Sequence, residues 1–150
     1  MRPIPPAWTL GLALVQRGLV RATGGARDYP GRRALSAGLG LTAAALYAAV
    51  GWQFTKARTT IDPRAPQETT SLVTSGVFSH SRNPIYVADA LILAAHAAWL
   101  GRPATLLGIP ALVAALHPQI VAEETALRTR FGSEYEAYIA HVPRWIGPLG

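Results

Sequence analysis

Four polar groups interrupt a chain that is otherwise apolar along most of its length, and each has residue types that can do chemistry. The first is Arg82-Asn83-Pro84-Ile85-Tyr86. Proline at a first-turn position starts a helix and biases Asn83 away from helical geometry, so a loop turns into a helix at a fixed corner. A helix start offers unpaired amide groups, and Arg82 adds a full positive charge, a combination suited to an anionic ligand group. The second is Glu123-Glu124. A carboxylate can accept both hydrogen bonds of a vicinal diol, or favour a cation held beside it. The third is Tyr135 and Tyr138, three apart and hence on one helical face. The fourth is Val142-Pro143-Arg144-Trp145, which carries one more guanidinium. These residues taken singly also fit a plainer reading. That reading is a capped helix with an interfacial arginine and tyrosine, a solvated helix face with a Glu124–Arg128 pair, and interface anchors with Arg144 on lipid phosphate.

Asp89 and His96 stand apart from these groups, inside an apolar run and seven residues from one another. That spacing places them on one helical face with Tyr86. An ionisable residue within hydrocarbon is a functional candidate, here for orienting or deprotonating a nucleophile. Interhelical hydrogen bonding is the alternative. His117, before Pro118, reads as a residue at a helix kink, near enough to the acidic pair to be a minor donor-site candidate.

The elements that must position these residues are helices. Ala34 to Phe54 is a run of 21 residues without a charge, bounded by Arg32-Arg33 and by Lys56 and Arg58. That is long enough to span a bilayer. Gly38 and Gly40, with Ala43 to Ala45, make it narrow enough for another helix to approach closely. Trp52 suits the interface. Ala7 to Val20 is a shorter apolar stretch interrupted by Arg17, and it reads as a retained first helix rather than a signal-peptide core. Thr55 to Ser81, with Pro63, Pro66 and Gly76, reads as a loop in which 70–78 is extended. Asn83 to Leu100 is the next apolar segment. After a turn at Gly101-Arg102-Pro103, Ala104 to Leu116 returns as an antiparallel partner, kinked at Pro110. The returning helix carries Glu123 and Glu124 onward, Gly132 ends it, and 134–139 is a short final helix.

Composition agrees with a membrane setting. The chain has 150 residues, half of them hydrophobic and only 15% charged. With 0 cysteines, disulfides, thiolate metal sites and a cysteine nucleophile are all excluded. The net charge of +6 resides on arginines that flank apolar blocks, which points to anionic headgroups rather than to nucleic acid. Basic residues are too evenly shared between the loops to fix an orientation.

In order and spacing the clusters resemble the isoprenylcysteine carboxyl methyltransferase family and its bacterial, phospholipid methyltransferase-like relatives, over Leu72 to Trp145. Relatives read Arg-His-Pro or Arg-Asn-Pro, then a tyrosine two residues on and a glycine two further. Here Arg82, Asn83, Pro84 and Tyr86 match, and Ala88 replaces the glycine. The acidic pair Glu123-Glu124 is followed, as in the family, by Leu127, Phe131-Gly132 and the tyrosines 135 and 138. Family members end in isoleucine-proline, whereas Gly147 separates Ile146 from Pro148 in this chain.

The resemblance implies an all-α integral membrane bundle of about four transmembrane helices with a short C-terminal cytosolic helical region. One domain over 1–150 would divide into an N-terminal helix pair (1–55), a cytosolic loop (56–82), and a helical hairpin with donor-binding helices (83–150). The methyl donor implied is S-adenosylmethionine. Its expected site is Arg82, Asn83, Pro84, Tyr86, Glu123, Glu124, Tyr135, Tyr138 and Arg144. Asp89 and His96 are the candidates on the acceptor side. No metal, nucleic acid or obligate protein partner is implied. The acceptor would be a lipophilic molecule or a membrane lipid, methylated on oxygen or nitrogen. The donor site would face the cytoplasm, in a bacterial inner membrane. The competing expectation is a non-catalytic membrane protein that binds lipid or a partner subunit.

Overall fold

The structure is a computed structural model describing residues 5–58 and 70–147. Every regular element among the described residues is helical: α1 (Pro5–Ala22), α2 (Arg32–Ala57), α3 (Pro84–Leu100), α4 (Gly108–Phe131) and α5 (Ser133–His141). Two short 3-10 helices join them, Gly76–Ser79 and Pro103–Leu107. Residues 59–69, with Pro63 and Pro66 of the expected loop, and Pro148 lie outside the described residues.

Two stretches are long and apolar enough to cross a membrane, Arg32–Ala57 and Pro103–Phe131. Only 11% of the apolar window in α2 is buried, so α2 is not the core helix of a water-soluble domain. At 17 residues, α3 is apolar but shorter. The expected count of four spans thus goes beyond these two. Polarity is distributed inside out. Thr9, Gln16, Asn83, Asp89, Thr105 and Glu124 are buried, whereas Leu10, Leu14, Leu41, Trp52 and Leu107 are exposed. Apolar surface on this scale is stable against lipid rather than water.

The chain forms two compact units. The first takes, among the described residues, 5–44 and 88–116. Within it Thr9 donates to Asp89 Oδ1 (2.8 Å), and Gln16 Oε1 meets His96 Nδ1 (2.7 Å). Both pairs are offset by 80 residues, which requires α1 and α3 to run parallel there, joined by two polar rungs two helical turns apart. Gln16 Nε2 also donates to the carbonyls of Thr105 (2.8 Å) and Leu93 (3.4 Å). At the turn between α3 and the following 3-10 helix, Gly101 adopts φ +66, and a Cβ there would lie 2.0 Å from the Arg27 carbonyl oxygen. Only glycine satisfies both constraints.

The second unit takes, among the described residues, 45–58, 70–87 and 117–147. Phe54 of α2 packs edge-on to Phe78 (ring centroids 5.5 Å apart), and Ser71 donates to the Ala57 carbonyl (3.2 Å). These contacts fold the described part of the loop along the end of α2. No strand forms at 70–78. Residues 76–79 close instead into a 3-10 turn, because Gly76 supplies the left-handed backbone (φ +62) that starts it.

Three local expectations change. Pro110 lies in the first turn of α4, where its missing amide costs nothing, so it does not kink the helix; the internal proline is Pro118. Among the described residues nothing lies within 4 Å of a Cβ built at Gly38 or Gly40, so neither mediates a close helix approach there. Arg128 bonds Glu136 (2.8 Å) rather than its helical neighbour Glu124. The glycines give a direct test by thermal unfolding in detergent. Gly101→Ala is expected to destabilise the protein by about 2 kcal/mol or more, through strain and backbone overlap. Gly38→Ala is expected to be neutral or stabilising by up to roughly 1 kcal/mol, as for an exposed helical glycine.

Candidate functional site

Glu124 is the centre of the second unit's polar cluster. Arg144 reaches its carboxylate with two parallel hydrogen bonds, Nε to Oε1 at 2.9 Å and Nη2 to Oε2 at 2.6 Å. Arg82 Nη1 lies 3.1 Å from Oε1. A bidentate arginine is the strongest geometry available to a carboxylate withdrawn from water. The Glu124 side chain is 8% exposed and that of Arg82 15%, so the ions are largely desolvated. Two guanidiniums facing one carboxylate leave the trio with one positive charge in excess. Arg82 Nε is buried and has no hydrogen-bond partner among the described residues.

The backbone repeats this connection. The Arg82 amide donates to the Pro143 carbonyl (2.9 Å), and Asn83 Nδ2 donates to the Arg144 carbonyl (3.0 Å). Ser81 Oγ adds a longer bond to the same carbonyl (3.4 Å) and also caps the Asn83 amide (3.1 Å). The loop-to-helix corner before α3 and the segment after α5 therefore form one polar knot. Pro84 is the first residue of α3, buried beside Asn83, as its fixed φ favours.

Glu123 faces a different set of partners. Tyr86 donates its hydroxyl to Glu123 Oε1 at 2.6 Å. Gln119 Nε2 donates to the same oxygen (3.0 Å) and to the Tyr86 hydroxyl (3.2 Å). Gln119, one helical turn before Glu123, was not singled out from the sequence. Its position one turn before an acidic residue in an apolar helix was the available signal. Tyr135 is fully buried, and Tyr138 donates to the Phe78 carbonyl (2.7 Å). Burial raises the Tyr138 phenol pKa well above its ordinary value. Burial also raises that of Tyr135, with the Glu124 charge adding to the effect. Both therefore remain neutral at any physiological pH. Arg144 is held still more firmly in its charged form by the bond to Glu124.

The structure thus joins Arg82, Asn83, Glu124 and Arg144 in one network and Tyr86 with Glu123 in another, and all belong to one compact unit. Asp89 and His96 belong to the first unit, in the two rungs described above, each with its own partner from α1. The orientation of Gln16 is fixed, because its amide nitrogen serves two backbone carbonyls. Its oxygen then accepts from His96 Nδ1, so in the neutral imidazole Nε2 is the ring nitrogen without a proton. Thr9 and Gln16 were also missed in the sequence. Their own seven-residue spacing within an apolar run was the legible sign.

Beside this geometry stands the relationship to other proteins. The sequence profile of the phospholipid methyltransferase family matches residues 32–134, and the chain belongs to that family. An uncharacterised protein of Haemophilus influenzae is 38% identical over 63 residues, 41% of this chain and 100% of that relative. No solved structure matches the chain. The family is one of membrane methyltransferases, in keeping with the exposed apolar helices.

The two glutamates differ in what they hold together, and stability separates them. Glu124→Gln leaves two arginines facing each other with no counter-charge, and is expected to cost about 3 kcal/mol. Glu123→Gln keeps the hydrogen bonds from Tyr86 and Gln119 and is expected to cost under about 1 kcal/mol. Thermal unfolding of both variants, with limited proteolysis C-terminal to α5, measures the difference.

Proposed function

We propose that the protein is an S-adenosylmethionine-dependent methyltransferase of the membrane, acting on a lipophilic or lipid acceptor at oxygen or nitrogen. The observation that carries this reading is the positive excess around Glu124, with a buried Arg82 donor left unsatisfied, in a chain of the phospholipid methyltransferase family. An anionic group is what such a cluster lacks, and the methionine carboxylate of the donor is one. Arg82 and Arg144 would hold that carboxylate. Glu123, oriented by Tyr86 and Gln119, would accept from the ribose hydroxyls or favour the nearby sulfonium charge. Asn83 and Pro84 fix the corner, and Tyr135 and Tyr138 supply neutral walls. When bound, S-adenosylmethionine supplies an electrophilic methyl group, which the acceptor's lone pair takes as a neutral thioether departs.

What the protein contributes to such a displacement is positioning and exclusion of water. A carboxylate acceptor needs no base, whereas an amine or phenol must lose a proton. In its neutral form His96 carries no proton on Nε2, and it is the group we assign to receive it, with Asp89 held by Thr9 as the second candidate. Because the donor is made in the cytosol, the reading places residues 55–81 and the C-terminus on the cytoplasmic side, with the remaining helices completing a four-span bundle.

The test is transfer of labelled methyl from S-adenosylmethionine into the lipid extract of membranes containing the protein. Wild type is expected to label an extractable lipid. Arg82→Gln is expected to lower kcat/KM about tenfold or more, the factor for one lost charged hydrogen bond. His96→Gln is expected to lower kcat with KM for the donor unchanged. Unlabelled lipid with well-folded wild type would leave a non-catalytic binding protein as the reading.

A further inference from the structure

The first unit holds a cavity of about 270 Å³ that no part of the methyl-transfer reading uses. Leu19 and Val20 at the end of α1, with Pro103 and Ala104 after α3, form its apolar wall, and Arg27 and Arg102 line it as cations. Arg102 is fixed in place, because Nε donates to the Gly25 carbonyl (2.9 Å) and Nη2 to the Thr23 carbonyl (2.7 Å). Both partners are neutral, so the charge of Arg102 is oriented but not cancelled. The Arg27 side chain has no hydrogen bond or ion pair among the described residues, while its backbone amide is tied to the Leu100 carbonyl (3.0 Å). No carboxylate lines the cavity.

The surrounding charge has the same sign. Residues 5–44 and 88–116 contain six arginines (17, 21, 27, 32, 33 and 102) against two aspartates. Asp89 is buried against Thr9, and Asp28 is engaged by Arg32. Two uncancelled guanidiniums at an apolar cavity call for a ligand with an anionic head and an apolar body. Basic pockets beside membrane helices bind acidic lipid head groups by this chemistry.

We propose that this cavity binds the phosphate headgroup of an anionic membrane phospholipid. Arg27 and Arg102 take the phosphate, and the α1 and Pro103–Ala104 wall lies against the glycerol and first acyl carbons. The site rests on residence in a membrane and not on methyl transfer, so the two readings can fail separately.

The full chain in detergent is titrated with phosphatidylglycerol, with phosphatidylcholine of the same acyl chains and with inorganic phosphate, followed by the shift in thermal midpoint. Wild type is expected to be stabilised by phosphatidylglycerol well beyond either control. Arg27→Gln, which breaks no bond seen in the structure, is expected to weaken that binding roughly fivefold, as loss of about 1 kcal/mol implies. Arg33→Gln, outside the cavity, is expected to leave it unchanged. Arg102→Gln should abolish it if the variant folds, and Ala104→Phe, which fills the cavity, provides the same loss without removing a charge. Equal stabilisation by phosphatidylcholine would overturn the anionic selectivity, and equal stabilisation by phosphate alone would overturn a lipid ligand. Undiminished phosphatidylglycerol binding in both Arg27→Gln and Ala104→Phe would overturn the site.

Discussion

A carboxylate buried beside apolar helices must be neutralised, and in this protein that requirement falls on Glu124. One arginine could have balanced it. The chain supplies two, from positions 42 residues before it and 20 residues after it. The corner before α3 and the segment after α5 are thereby drawn to the same point on α4. The bonds from the Arg82 amide and the Asn83 side chain to the carbonyls of Pro143 and Arg144 follow from that convergence. A surplus positive charge follows as well, and the proposed binding of an anionic donor group rests on that surplus.

A parallel logic governs the first unit, with a hydroxyl and an amide as partners in place of guanidiniums. Thr9 and Gln16 on α1 answer Asp89 and His96 on α3, rung for rung. In an apolar surround a buried polar atom is costly unless bonded, so each such residue calls for a partner at matching height. The same amide of Gln16 that ties α1 to Thr105 sets the tautomer of His96. Positioning and packing are here one interaction.

Much of this was legible in the sequence, for definite reasons. Helices α1 to α4 announce themselves as apolar runs bounded by arginine, and the corner at Pro84 and the break at Gly132 follow from backbone chemistry. Arg82, Asn83, Glu124 and Arg144 could be named because polar residues beside apolar runs are few and because their order and spacing resemble the family's. Their mutual pairing could not. Local spacing favoured Glu124 with Arg128, since residues four apart share a helical face, whereas the structure spends Arg128 on Glu136 and serves Glu124 from distant segments. Gln119 and Gln16 went unnoticed because an uncharged amide in an apolar helix becomes significant only once its partners are known. Pro110 misled because its effect depends on whether it lies in the first turn or further along.

The measurement that bears most directly on the account is calorimetric titration of S-adenosylmethionine into the detergent-purified chain, wild type beside Arg82→Gln and Arg144→Gln. The account predicts saturable binding by the wild type that each arginine variant weakens severely while remaining folded. Binding undiminished in both variants would contradict the assignment of the Glu124 knot as the donor site, and a folded wild type that does not bind the donor at all would contradict the methyl-transfer reading itself.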